Sequence, residues 1–328
     1  MKALFIAPND FRTSIGGSSN RMQQTSSLLK NAGFEVEYLI VGPGKASDIN
    51  IEITKKNLGP QDVVIKDKYD LIFCNYLFLL ERISLSHEAQ LICDIHDDVI
   101  DRDKRLNANW ITRSQDEVDL VFSRLKPKLV HISPVEMRFY ESRFQHLDQF
   151  WLPYMPQMKP VPLKEKTEPD FSFGFIGTQN SVNANAVVNI PRIIDAMDQP
   201  RSVLLAGSIC DGITSAPDYM HLVPNINISS FYESVGFLLC PIFHQSGSST
   251  KLLESLMLGT PVLAPGSLFE GCGLSSPRQK IDSNEDLVTL LQCNNHFDTV
   301  SDQASALDQY QLNYEAQLAG YYNFLRGR

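Results

Sequence analysis

The stretch Ser246–Pro265 reads SGSSTKLLESLMLGTPVLAP and joins a small-residue loop to an amphipathic run and a glycine stop. Gly247, Ser248 and Ser249 put little bulk between the backbone and anything resting on the helix predicted from Thr250. The first N–H groups of a helix lack partners within it and the dipole there is positive, so an anion fits. Lys251 adds a full positive charge in that first turn, and Glu254 lies one turn beyond Thr250 and Lys251 on roughly the same side. Leu252, Leu253, Leu256 and Met257 form the stripe expected to be buried, and Gly259 with Pro261 is a stop signal. One face can thus offer N–H groups to phosphate, a lysine, and a carboxylate that accepts from sugar hydroxyls. The plainer alternative is a loop before a helix whose lysine and glutamate are only solvated. No Gly-Lys-Ser/Thr order occurs in the chain, so a Walker-type phosphate loop is excluded.

Two other constellations could do chemistry. The run PNDFRTSIGGSSNR follows a strand-like segment; Gly16 and Gly17 permit positive φ and a close backbone approach, and Ser18 or Ser19 could cap the next helix. A plain surface loop is the alternative there, and the dinucleotide spacing Gly-x-Gly-x-x-Gly is absent. The run CDIHDDVIDRDKR places His96 and Asp97 at the end of another strand, where a histidine can bond a sugar hydroxyl or exchange protons near neutrality. Its acidic residues, including Asp101 and Asp103 in an Asp-x-Asp arrangement, are a possible divalent-metal set or a solvated acidic loop. His131 and His244 read as structural.

The elements that must position these residues alternate along the whole chain. Apolar strand-like runs fall at Ala3–Ala7, Val36–Val41, Leu71–Asn75, Leu91–Ile95, Leu129–Ile132 and Phe150–Leu152. A second series falls at Ser172–Ile176, Ser202–Ala206, Phe237–Cys240 and Pro261–Ala264. Helical patterns lie between them at Asn20–Ala32, Thr112–Leu125, Pro134–Arg143, Asn183–Met197, Ser229–Ser234 and Thr250–Leu258. Such alternation predicts α/β architecture: two Rossmann-like doubly wound parallel sheets, with ligands expected at the C-terminal ends of strands across an interdomain cleft. The proline-rich stretch between Pro153 and Pro169 reads as the linker. The expected division is an N-terminal domain over 1–155, a linker over 156–170, a C-terminal domain over 171–300 and a helix over 301–328 packing back across the linker.

A net charge of −9 argues against non-specific nucleic-acid binding, which needs a basic footprint. The six scattered cysteines have neither zinc spacing nor the pattern of a secreted disulfide framework, so a reducing, cytoplasmic setting is expected. The N-terminus opens directly into a strand without a signal-peptide pattern, and no apolar run is long enough to cross a bilayer. Peripheral membrane contact stays open.

Together these segments resemble the GT-B glycosyltransferases, and specifically retaining glycosyltransferase family 4. The resemblance rests on Gly16-Gly17, Arg21, Leu28-Leu29, Gly33 and Val36, on FGFIGTQNSVNANAVV, and most of all on GSSTKLLESLMLGTPVLAP. It implies that Gly177, Thr178, Ser246, Gly247, Ser248, Ser249, Thr250, Lys251 and Glu254 bind a nucleotide-sugar donor, Glu254 through the ribose hydroxyls. It further implies that Gly16, Gly17 and Ser18 approach the diphosphate or the acceptor, that His96 touches the transferred sugar, and that His96 and Lys251 serve catalysis. No metal and no cofactor is implied beyond the nucleotide-diphosphate sugar as co-substrate; the acceptor is a saccharide, a lipid-linked species or another hydroxyl, as in polysaccharide synthesis. Two positions depart from the family. Ser246 stands where a second glutamate is usual, and Thr178 follows Gly177 where an arginine is usual, which shifts charge neutralisation onto Lys251 and the helix start. The alternatives are a nucleotide-sugar epimerase, a metal-dependent transferase using Asp101 and Asp103, and a non-catalytic GT-B subunit that binds a nucleotide or a partner transferase.

Overall fold

The computed structural model describes residues 1–8, 10–12, 16–41, 51–54, 62–65, 67–80, 83–85, 88–96, 115–163, 168–198, 201–243, 247–275, 281–292 and 296–327. The described residues form two compact units, one built from those up to Tyr154 together with those from Glu315 onward, the other from those between Met155 and Tyr314.

The first unit is organised by strands β1 (Lys2–Ala7), β2 (Glu35–Ile40), β3 (Ile51–Thr54), β4 (Asp62–Ile65), β5 (Leu71–Asn75), β6 (Ile83–Leu85), β7 (Gln90–Ile95), β8 (Lys128–His131) and β9 (Gln149–Trp151). Six of them make one sheet in the order β2-β1-β5-β7-β8-β9, with every pair parallel. Side chains alternate across this sheet as the strand period demands. Leu4, Ile6, Ile72, Cys74, Cys93 and Ile95 enter one buried cluster, while Ala3, Phe5, Ala7, Phe73 and Ile92 enter another. Both faces are therefore covered, which is why these strands read as unbroken apolar runs. Tyr321 and Leu325, near the end of the long helix His296–Leu325, join the second cluster beside Leu29 and Leu152. Strands β3, β4 and β6 form a separate three-stranded sheet with one antiparallel and one parallel pairing. They have three or four residues each, too short for a pattern to mark them in the sequence.

The second unit carries β10 (Phe171–Ile176), β11 (Val203–Ala206), β12 (Met220–Val223), β13 (Val235–Leu239) and β14 (Val262–Leu263), in the parallel order β12-β11-β10-β13-β14. The expected α/β class and paired parallel sheets are what the chain forms. Strand β12 escapes the apolar pattern because His221 interrupts it and Met220 alone of its four residues is fully buried.

Helix starts shift by a few residues from the sequence expectation. The helix expected from Asn20 begins at Gly17, so Ser18 and Ser19 lie inside its first turn rather than capping it. Gly16 occupies the cap with a φ of 145°, whereas Gly17 is helical and uses no positive φ. The helix expected from Asn183 runs over Ser181–Asp195, capped by Asn180, whose side chain accepts from the Asn183 N–H. The helix Pro134–Arg143 begins and ends where the sequence places it. No helix among the described residues is long and apolar enough to cross a membrane.

Candidate functional site

In each large sheet the strand order reverses once, and in open α/β sheets ligands bind at such a reversal, outside the carboxyl ends of the strands. In the second unit the reversal lies between β10 and β13. The two segments leaving it are Gly177–Asn180 and the stretch from Cys240 to the helix Thr250–Met257. These segments hold the donor residues that the sequence singles out.

The loop after β10 is anchored below by its neighbours. The Gly177 N–H donates to the Ala206 carbonyl at 3.0 Å, and its own carbonyl accepts from the Ile209 N–H at 3.1 Å. The Gln179 N–H donates to Ser208 Oγ at 3.1 Å. A Cβ on Gly177 would stand 2.8 Å from Asn183 Nδ2, so glycine is what admits the Asn183 amide beneath the strand end. That amide donates from Nδ2 to the Thr178 carbonyl at 2.8 Å and accepts at Oδ1 from Lys251 Nζ at 2.6 Å.

The facing loop is set by the helix Gly266–Cys272. Ser248 Oγ donates to Cys272 Sγ at 3.3 Å, and the Cys272 thiol donates to the Ser249 carbonyl at 3.6 Å. Gly247 takes a φ of 74°, a conformation that favours glycine. Ser249 stands at the N-cap of the helix Thr250–Met257, yet its side chain makes no capping bond. Its Oγ is buried and has no hydrogen-bond partner among the described residues. A buried hydroxyl without a partner costs free energy, which a ligand oxygen at this helix start would recover.

The expected stripe Leu252, Leu253, Leu256 and Met257 is buried, and so are Glu254 and Ser255, making the helix more enclosed than its pattern suggests. Thr250 and Lys251 remain partly exposed. Lys251 Nζ lies 4.1 Å from the centroid of the Phe175 ring, and no carboxylate forms an ion pair with it among the described residues. Burial pushes its pKa below the ordinary lysine value, against smaller upward pulls from Cys240 and Glu254. An anion arriving here meets a partly buried cation that no ion pair among the described residues neutralises.

In the first unit the reversal lies between β1 and β5. Gly16, Gly17 and Ser18 follow β1, and His96 follows β7 at the same edge of the sheet. His96 is buried, its ring 4.2 Å from that of Tyr76. Tyr76, the residue after β5, holds a φ of 74°, a strained conformation for a bulky side chain. His96 Nε2 lies 3.2 Å from Asp94 Oδ2, close enough for attraction but not aligned as a hydrogen bond. Asp94 receives two bonds from Arg21, from Nε at 3.1 Å and from Nη2 at 3.0 Å. Arg21 Nη1 also donates to the Leu152 carbonyl at 2.9 Å. Burial alone would raise the Asp94 carboxyl, but the Arg21 guanidinium beside it, helped by the neighbouring His96 ring, outweighs burial and holds the group down to about 2.

The sequence-predicted residues fall on both units: Gly16, Gly17, Ser18 and His96 on the first, Gly177, Thr178, Gly247, Ser248, Ser249, Thr250, Lys251 and Glu254 on the second. Ser246, His244, Asp97, Asp101 and Asp103 lie outside the described residues, and no metal-binding cluster occurs among those described. Sequence reasoning missed Asn183, Tyr76 and Asp94. Asn183 sits six residues beyond Gly177 in an asparagine-rich run that gives no hint which amide turns inward.

No protein-family model and no curated protein sequence matches the chain. Solved structures do. Over 99% of this chain and 98% of the other, it is similar to sucrose-phosphate synthase from Thermosynechococcus elongatus, with a TM-score of 0.68 at 12% identity. It is similar to Anabaena HepE, solved with UDP-glucose, over 100% of this chain and 98% of that one, at a TM-score of 0.59 and 12% identity. It is also similar to the T4 phage β-glucosyltransferase, BGT, solved with UDP and Mn2+, over 99% of each chain, at a TM-score of 0.55 and 11% identity. The chain has the α/β GT-B fold.

Proposed function

We propose that this chain is a glycosyltransferase that moves a sugar from a nucleoside-diphosphate sugar to an acceptor hydroxyl, with retention and without a metal ion. The observation that carries this reading is the meeting, at a helix start on the switch point of the second sheet, of a buried Ser249 hydroxyl and a Lys251 ammonium that have, among the described residues, no hydrogen-bond partner and no ion pair respectively. The support from fold is that HepE was solved with UDP-glucose and the phage enzyme with UDP.

In this reading the diphosphate rests on the N–H groups of the helix Thr250–Met257, with Ser249 and Lys251 donating to it. Glu254 accepts from the ribose hydroxyls, and Gly177 and Thr178 border the phosphates. The acceptor oxygen bonds to the anomeric carbon as the bond from that carbon to the phosphate oxygen breaks. The acceptor's proton passes to an oxygen of the departing phosphate on the same face. The products are a glycoside and a nucleoside diphosphate, so no protein nucleophile is required. The chain's task is to position the reactants and stabilise the negative charge gathering on the leaving group. His96 orients the transferred sugar, and the Gly16–Ser18 segment serves the acceptor or diphosphate. The reading carries a cytoplasmic location and a saccharide or lipid-linked acceptor, the latter reached by peripheral membrane contact.

The test is donor turnover by the purified chain against UDP-, GDP- and ADP-sugars, in chelator, with the anomeric configuration of the product read by NMR. Turnover in chelator with retention is the expected result. Turnover that requires manganese overturns the metal-free mechanism, and an inverted product overturns retention. Tight nucleotide binding without any turnover points to a non-catalytic subunit.

A further inference from the structure

The lysine at the second switch point is held in an unusual manner for a partly buried cation. Buried ammonium groups are ordinarily paired with a carboxylate. Lys251 instead rests on a ring face at 4.1 Å and on a neutral amide oxygen at 2.6 Å, and neither removes its charge. The amide is itself fixed. Asn183 is buried, and its Nδ2 is engaged by the Thr178 carbonyl at 2.8 Å. Only one of the two amide orientations places a donor against that carbonyl and an acceptor against the ammonium, so the Thr178 carbonyl dictates which way Oδ1 faces. The Asn183 backbone is pinned as well, its N–H donating to Asn180 Oδ1 at 2.8 Å.

We propose that Asn183 is a positioning residue for the donor diphosphate: its amide, locked by the Thr178 carbonyl, aims the Lys251 ammonium without neutralising it. The inference rests on the donor-site reading above and adds to it a residue that acts through another. An aspartate at 183 would have the right shape but the wrong charge. It would pair with Lys251, oppose the incoming anion and lose the bond to Thr178.

The experiment is a double-mutant cycle read by calorimetry, using whichever of UDP, GDP and ADP binds the parent most tightly. Lys251→Ala is expected to weaken binding by about tenfold or more, as loss of a charged hydrogen bond does. Asn183→Ala should cost a similar factor alone and almost nothing in the Lys251→Ala background, because the two act as one unit. Asn183→Asp, which keeps an acceptor for the lysine and nearly the same volume, should bind more weakly than Asn183→Ala. A purely structural role would instead make the two asparagine substitutions cost the same factor with and without Lys251. That result, or an Asn183→Ala protein that binds like the parent, overturns the proposal while leaving the donor site standing. A parent that binds none of the three diphosphates overturns the donor-site reading, and this inference with it.

Discussion

The two switch points treat charge in opposite ways. In the first unit, Arg21 and Asp94 are both fully buried and form a two-bond ion pair that His96 extends, with Arg21 also tied to the Leu152 carbonyl. In the second unit, Lys251 has an amide and a ring for neighbours, and Ser249 is left without a partner among the described residues. A charge that is fully paired holds the protein together. A charge kept unpaired is available to something that arrives.

The largest effect should come from breaking the paired charge. Arg21→Met leaves the Asp94 carboxylate buried without its partner, and the expected loss is about 3–5 kcal/mol of unfolding free energy in urea. If the loss is below about 1 kcal/mol, the pair is not structural. Lys251→Ala should do the reverse, lowering nucleoside-diphosphate affinity by about ten- to a hundredfold while leaving the urea midpoint unchanged or raised. Equal destabilisation by both substitutions would erase the contrast.

Ser249→Ala sharpens the comparison on a smaller scale. Removing a capping serine ordinarily costs about 1 kcal/mol of stability. Here no capping bond exists to lose, so thermal unfolding should hardly move while diphosphate affinity falls by roughly fivefold, one neutral hydrogen bond's worth.

Two pH dependences complete the set. The His131 ring is buried on β8 and donates from Nε2 to Gln149 Oε1 at 2.9 Å, and burial lowers its pKa from 6.5 to about 4. The unfolded chain takes up that proton first, so the stability linked to His131 is complete above about pH 6.5 and is lost as pH falls through about 4. The drop in Tm between neutral and mildly acidic pH should therefore be smaller in His131→Gln. Lys251 works at the other end: its pKa lies below the ordinary 10.5, so diphosphate binding should weaken as pH rises through that lowered value. Lys251→Ala should lack this alkaline decline.

Much of this molecule was legible beforehand because its sheets are covered on both faces. Strands such as Ala3–Ala7 and Leu71–Asn75 then appear as continuous apolar runs, and the helices between them set the parallel class. The loop–helix at Gly247–Met257 was legible for a related reason: small residues, a lysine and a buried stripe occur there together. The polar residues that turn inward were harder to see. Asn183, one of several asparagines in its helix, is distinguished only by the glycine it fits beneath and the carbonyl it meets. Asp94 lies in an apolar strand, where nothing local announces that Arg21 sits opposite it, and Tyr76 is marked by a backbone angle with no signature in residue type. Short strands such as β3 and β6 lack the length for a period to show.

The central claim, that the second switch point is a diphosphate site built on a lysine without an ion pair among the described residues, is tested most directly by one titration. UDP, GDP and ADP are titrated into the parent and into Lys251→Ala at neutral pH and fixed ionic strength. The account predicts that the parent binds at least one of them and that Lys251→Ala binds it about tenfold more weakly or worse with an unchanged Tm. Equal affinity in the two proteins would contradict it.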